Sequence, residues 1–293
     1  MTDLARTRTG GFPIGVRRGW GAWQRDLPAY LEWVRRQRLS HVDLGNDAGT
    51  IIEKVGASGV EIGAVDLPRW KELLSGDPGL RRAATDEAGA CIEGCAAAGV
   101  KVFMTIMLPE DPTRPREENF DHMILSYSAL VPVLEEAGAA IAIEGWPGPG
   151  ALCCSPETLR ALFLEIPSEA IGINFDPSHL LRLQIDPIRF LEEFANRVRH
   201  VHAKDTEWMP ERAYEFGIEQ PATFSAPHRF GGHSWRYTIP GHGHMRWTEA
   251  LLRLHAAGYA GRLSIELEDE DFHGSESSEQ RGIVLSRDFL LGC

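Results

Sequence analysis

The chain has 293 residues, 43% hydrophobic and 25% charged, enough apolar side chain for a full core in one large domain or two ordinary ones. Its net charge of −12 argues against a protein whose main partner is a phosphate backbone, because such proteins usually present a basic face. The opening MTDLARTRTGG lacks the apolar stretch of a signal peptide, and no run reaches the roughly 18 apolar residues of a membrane span, so a cytoplasmic protein is expected.

FPIGVRRG reads as the first strand. The helix after it has Asp26 as N-cap, Pro28 in its first turn, and Leu27, Tyr30, Leu31 and Val34 at helical spacing. SHVDLGN, GVEIGAVD and VKVFMTIML are the next strands, separated by the helix TIIEKVGAS and by an Ala-rich helix that Gly99 ends. VKVFMTIML is apolar almost throughout, as in strands covered on both faces of a parallel sheet. A helix with a kink expected at Pro132 leads to the strand AAIAIEG. Ser155–Pro156 and Asp186–Pro187 open helices on either side of the strand AIGINFD, each pair an N-cap followed by proline at the first helical position. VRHVHAKD is the seventh strand, MRWTEALLRLHAAG a helix, GRLSIELED the eighth strand and SSEQRGIVLSRDFLL the last helix.

This alternation predicts an α/β fold, a (β/α)8 TIM barrel spanning 1–293 as one catalytic domain. An open doubly wound sheet is the alternative, but Gly19 and Gly21 after the first strand lack the third glycine of a dinucleotide-binding turn. One interval is too long for a simple connection. Residues 206–244 are rich in Pro, Gly and aromatics and show no helical period. As a long loop after strand seven they should lie over the C-terminal mouth, where such loops build active sites. The five cysteines are an odd number and are expected as free thiols: Cys91 and Cys95 on one helix face, Cys153 and Cys154 in a loop, and Cys293 in the tail.

Four strands end in a side chain able to bind a metal: Glu144, Asp176, His202 and Glu266. In a barrel those ends form a ring. Three carboxylates with one imidazole suit Mn²⁺, Mg²⁺ or Co²⁺ better than a structural zinc, which prefers Cys and His. A single strand-end acid is ordinarily a helix cap, but several acids gathered at one mouth would repel one another without a cation. Period-two alternation puts Lys204 on the same face as His202. His179 lies three residues past Asp176, Trp146 two past Glu144, Trp208 early in the long segment and His242 inside PGHGH; each is a candidate substrate contact.

In order, Glu144, then DPSH, HAKD, PGHG and IELED resemble the sugar phosphate isomerase/epimerase superfamily, xylose isomerase-like TIM barrels that include endonuclease IV, inosose dehydratase and ketose 3-epimerases. The resemblance implies one divalent metal on Glu144, Asp176, His202 and Glu266, Mn²⁺ first, with Mg²⁺, Co²⁺ or Zn²⁺ as alternatives. It further implies that Glu144 and Glu266 exchange protons with opposite faces of the substrate while His179 contacts it, and that a homo-oligomer forms, in some relatives with a small second subunit; Lys204, by its place on the strand, is a candidate catalytic group beside them or one half of a rim ion pair. Endonuclease-like chemistry would need extra histidines on strands three and four, and neither has one. WRYTIPGHG and GYAGRLSIELED are most similar to the branch acting on 3-oxo-glycosides, which includes C-glycoside deglycosidases and 3-dehydro-sugar epimerases. The implied reaction is proton abstraction beside a carbonyl, a metal-stabilised enediolate, then aglycone elimination or epimerisation. A free-ketose isomerase or epimerase, an inosose-type dehydratase and a non-catalytic sugar-binding barrel are the alternatives. No nucleic-acid or membrane partner is expected.

Overall fold

The structure is a computed structural model and describes residues 4–293. Its strands are β1 (Ile14–Arg17), β2 (His41–Leu44), β3 (Glu61–Asp66), β4 (Val102–Ile106), β5 (Ala140–Glu144), β6 (Ile171–Phe175), β7 (Val198–Ala203), β8 (Asp205–Trp208), β9 (Trp235–Thr238) and β10 (Leu263–Ile265). Eight of them close a barrel in the order β1-β10-β7-β6-β5-β4-β3-β2, while β8 and β9 form an antiparallel pair. Neighbours such as β4, β5 and β6 run parallel, with Ile106 opposite Glu144 and Glu144 opposite Asn174. That register carries the ends of successive strands to one rim. β2 and β6 are both buried along their whole length; in β6 (IGINF) this goes with a mostly apolar run.

Contacts group the chain into two units. One takes the chain up to His41 with Asp176–Ala195 and His202–Cys293; the other takes Val42–Phe175 with Asn196–Val201. Two of the four borders fall inside β2 and β7. The first unit holds β1, the β8–β9 ribbon, β10 and the helix Glu276–Gly292. The second holds β3 to β6 and the long helices Pro78–Ala97 and Arg116–Ala137, which pack on each other.

TIM barrels ordinarily fill their interior with branched apolar side chains. Here Ala64, Met104 and Ala142 make a small apolar cluster, while His41, Asp43, Asn174, His200 and Ser264 are buried polar groups on β2, β6, β7 and β10. The imidazole of His41 bonds Ser40 Oγ through Nδ1 (2.6 Å) and Ser264 Oγ through Nε2 (2.9 Å). Gly15 makes room for that ring, since a Cβ there would lie 2.4 Å from it.

Helix starts follow the sequence closely. Asp26 accepts from the Ala29 amide, and Asp186 from those of Ile188 and Arg189. Ser155 holds its cap position without a side-chain bond to the helix backbone. Pro132 sits inside the helix Arg116–Ala137, which runs on past it. The cysteines are all free thiols. No helix among the described residues is long and apolar enough to cross a membrane.

The segment 206–244 departs from a plain loop. It holds the helix Pro210–Phe216 and completes the ribbon of β8 and β9. Pro210 opens that helix and Gly217, at φ +69°, ends it. Seven residues are under two turns, too few to display a 3.6-residue period.

Candidate metal centre

Each strand end reaches the centre with its own local support. Glu144 closes β5 and accepts from Asn174 Nδ2 of the neighbouring β6 at 3.0 Å. Asp176 follows β6 and caps the short helix Pro177–Arg182. Its Oδ1 takes the capping bonds, from the Ser178 amide (2.9 Å) and Ser178 Oγ (2.6 Å). Its Oδ2 faces Lys204 Nζ and His179 Nε2, each at 3.3 Å. The capping role of a strand-end acid thus occupies Oδ1 and leaves Oδ2 facing Lys204 and His179. His202 is fully buried on β7, with Nδ1 3.3 Å from Glu266 Oε2. Two residues earlier on the same face, His200 Nε2 meets Asp43 Oδ2 at 2.9 Å. Glu266, just past β10, lies 3.2 Å from Arg17 Nε by one oxygen and 2.6 Å from Lys204 Nζ by the other.

Glu144, Asp176, His202 and Glu266 each offer one ligand atom, and these atoms lie within 4.8 Å of one another. Lys204 is 1% exposed and also reaches Glu268 Oε2 at 2.9 Å. Its stem and ammonium thus serve the same pocket as His202, as strand alternation predicts. The charges are informative. Glu144, Asp176 and Glu266 bring three carboxylates to the centre and Glu268 adds a fourth beside Lys204, while Lys204 and Arg17 bring positive charge to them. A divalent cation would further relieve the repulsion among those acids. The donor set, hard oxygens with one imidazole, fits such an ion.

The remaining sequence candidates are spread more widely. His179 is buried, with its ring edge-on to Tyr237. Trp146 is half-buried two residues past Glu144, and Gly148 leaves room for its ring. The Trp208 indole N–H donates to the Leu181 carbonyl at 2.8 Å. That indole lines a cavity of about 460 Å³ with Leu181, Ile185, Ile188 and Met245, a cavity that includes none of the four ligands. His242 is exposed and its ring packs 6.0 Å from Phe272.

PGHG has a further use. The buried Asp205 carboxylate accepts from the amides of Thr206 (2.8 Å), Met245 (2.9 Å) and Gly241 (3.2 Å) and from the Trp247 indole (3.1 Å). Gly243 passes so close that a Cβ would fall 2.2 Å from Asp205 Oδ1. Burial pushes Asp205 above the usual carboxylate range, against the opposing pull of those four donors. The later acids of IELEDED hold the ribbon. Asp269 accepts from the Ile239 amide at 3.0 Å, and Glu270 from the Arg229 amide at 3.1 Å and pairs with His228 at 2.7 Å. Arg17, Asn174, Tyr237 and the Asp43–His200 pair were not singled out from sequence. The alternation in WRYT was the available signal for Tyr237.

The xylose isomerase-like TIM barrel family model matches residues 29–291. Among curated proteins, the chain is 31% identical over 152 residues to an uncharacterised protein of Bacillus subtilis (strain 168), covering 51% of this chain and 47% of that one. It is 27% identical over 154 residues to inosose dehydratase of Geobacillus thermodenitrificans (strain NG80-2), covering 53% and 49%. The chain thus spans about half the length of the curated relatives it matches. Among solved structures, it is similar to a D-tagatose 3-epimerase-like protein (TM-score 0.68, 22% identity, 95% of each chain) and to the 3-keto-D-glucoside 4-epimerase of E. coli (TM-score 0.70, 14% identity, 96% and 100%). At these identities the structural likeness concerns the fold.

Proposed function

We propose, from the premise that the chain belongs to the xylose isomerase-like TIM barrel family, that it is a divalent-metal enzyme removing the proton beside the carbonyl of a keto-sugar. The observation that carries this is the convergence of Glu144, Asp176, His202 and Glu266 within 4.8 Å. When bound there, with Mn²⁺ as the first choice, the ion supplies Lewis acidity to a carbonyl and a neighbouring hydroxyl.

The chain's own residues divide the remaining work. Glu144 and Glu266 are the proton-exchanging pair, Glu144 oriented by Asn174 and Glu266 by Arg17 and Lys204. A carboxylate so held needs only to be placed at the right carbon. Lys204 offers positive charge where negative charge develops on a substrate oxygen, and His179 offers a hydrogen bond. Trp146 is a wall beside Glu144. His242 and Trp208 keep a substrate role only through an extension of the substrate beyond the sugar ring.

The finer reading is a 3-oxo-glycoside as substrate, with the aglycone leaving after C2 deprotonation or the carbon being epimerised. A cleft of about 310 Å³ supports it: Glu266 and Arg17 lie in it beside Trp20, Phe230 and His273, which gives room beyond one sugar ring. Free-ketose epimerisation and inosose-type dehydration share the first step, and the match to inosose dehydratase favours keeping the latter in the assay. The test is incubation of metal-loaded protein in D₂O with keto-sugars, an inosose, 3-oxo-glycosides and the parent glycosides. Deuterium should enter beside the carbonyl, and 3-oxo-glycosides should release aglycone while the parents stay intact. Absence of deuterium in every substrate would sink the proposal.

A further inference from the structure

The ribbon inserted after β7 brings a tyrosine to His179. Tyr237 lies on β9 opposite Thr206 on β8 and is 4% exposed. Its oxygen lies 2.7 Å from His179 Nδ1 and 3.0 Å from Arg182 Nη1. From this geometry we infer that Tyr237 is a positioning residue that fixes His179 as its Nε2–H tautomer, so that His179 faces the metal centre as a hydrogen-bond donor and not as a base.

The inference follows from counting donors. A guanidinium only donates, so Arg182 occupies a lone pair of the phenol oxygen. The phenol has one hydrogen of its own, and a buried hydroxyl hydrogen needs an acceptor. The acceptor in reach is His179 Nδ1. That nitrogen must then carry its lone pair, which places the ring's proton on Nε2. The far side of the ring agrees. Nε2 lies 3.3 Å from Asp176 Oδ2, where an N–H is attracted and a lone pair would face a carboxylate. A protonated Nδ1 would fail at the first end, leaving the phenol hydrogen buried without a partner. The chain of donors therefore runs Arg182, Tyr237, His179, Asp176.

The phenol is itself held in place. Lys204 Nζ sits 4.7 Å over its ring, and the Arg182 guanidinium stacks 4.5 Å from the Trp235 ring on the same strand. His179 and Arg182 are three apart on one short helix, so one phenol reaches both. Burial raises the Tyr237 hydroxyl above its ordinary range despite the nearby Lys204 and Arg182, so its hydrogen is present at neutral pH. A ring with no lone pair toward the centre cannot accept a substrate proton there. The donor assignment rests on the contacts alone; its use on a substrate oxygen rests on the proposed function.

The test uses full-length protein labelled with ¹⁵N-histidine and loaded with diamagnetic Mg²⁺. Long-range ¹H–¹⁵N correlations read the tautomer of each ring, and His179 is assigned by difference from His179→Gln. The expected result is a protonated Nε2 and a bare Nδ1. Tyr237→Phe keeps the ring, removes the hydroxyl and should turn His179 into a tautomer mixture; kcat for solvent deuterium exchange should fall roughly 10–100-fold with little change in KM. Arg182→Met is the second variant and should loosen the same preference. A protonated Nδ1 in the unaltered protein, or an unchanged tautomer in Tyr237→Phe, overturns the inference. If the tautomer is as stated but no keto-sugar exchanges deuterium, the enzymatic reading falls and the assignment of Tyr237 stands.

Discussion

Asp205→Ala should be among the most destabilising single changes in the first unit, although Asp205 is not one of the four candidate metal ligands. The carboxylate is fully buried and accepts from Thr206, Met245, Gly241 and Trp247 at 2.8–3.2 Å. Truncation leaves four N–H groups without that acceptor. A buried polar group left unsatisfied costs about 1–3 kcal/mol, so the lower end gives about 4 kcal/mol for the set. The lower end is the right choice because the emptied space admits water, which restores part of the bonding. Domains of 150–250 residues lose about 2–4 °C in Tm per kcal/mol, and a longer chain sits at the lower end, so about 8 °C is expected. Asp205→Asn keeps one oxygen and should fall between. Thermal unfolding followed by circular dichroism in metal-free buffer isolates the effect from ligand binding. A drop under about 2 °C for Asp205→Ala would refute the idea that these four donors depend on the carboxylate.

Other expectations concern the centre and the ribbon. Glu144→Gln and Glu266→Gln should each lower solvent deuterium exchange by about 10²–10⁴-fold while circular dichroism stays native, and near-normal rates would remove them as the proton-exchanging pair. Lys204→Met takes the ammonium from buried Asp176 and should cost the metal-free protein about 3–5 kcal/mol. Because a divalent ion replaces the missing charge, added Mn²⁺ should raise Tm more in Lys204→Met than in the unaltered protein; an equal or smaller rise contradicts the charge argument. Burial works to raise Glu270, but its bonds to His228 and the Arg229 amide, together with Arg236, outweigh it and hold the group below its ordinary value. Its folded value being the lower one, its contribution is present above the unfolded carboxylate range, near about 4.3, and is lost as pH falls through the folded value. Hydrogen exchange at the 228–239 amides should therefore quicken below that range, and should lose this acid dependence in Glu270→Gln.

The barrel, and the meeting of the four candidate ligands at one rim, were legible because they obey local rules. A strand shows a side-chain period of two, a βα junction shows an acid or a proline, and closure of eight such units brings the strand ends to one rim. Lys204 followed from His202 by that same alternation. Arg17 was invisible as a partner of Glu266, since the pair spans nearly the whole chain and depends on β1 closing against β10. The Asp43–His200 pair joins β2 to β7 and carries no local signature. PGHG was legible as a motif, and its glycines carry a second use that the motif does not announce: they make the backbone approach that Asp205 requires.

The ribbon links these observations. Carboxylates gathered at one rim repel one another, and the chain sets cations of its own among them: Arg17 from β1 and Lys204 just past β7. Lys204 is buried, so it needs cover on its open side, and the Tyr237 ring supplies that cover at 4.7 Å. Tyr237 can do so only if β9 is in register with β8, with Trp208 opposite Trp235 and Thr206 opposite Tyr237. A slip of one residue would turn Tyr237 to the other face and Arg236 inward. That register is pinned by Asp205 at the start of β8, and from outside the pair by Asp269, Glu270 and Asp271 gripping Ile239, His228 and Arg236. The acids beyond Glu266 are therefore not surplus to the metal centre; they fix the strand whose tyrosine shields its lysine and orients its histidine.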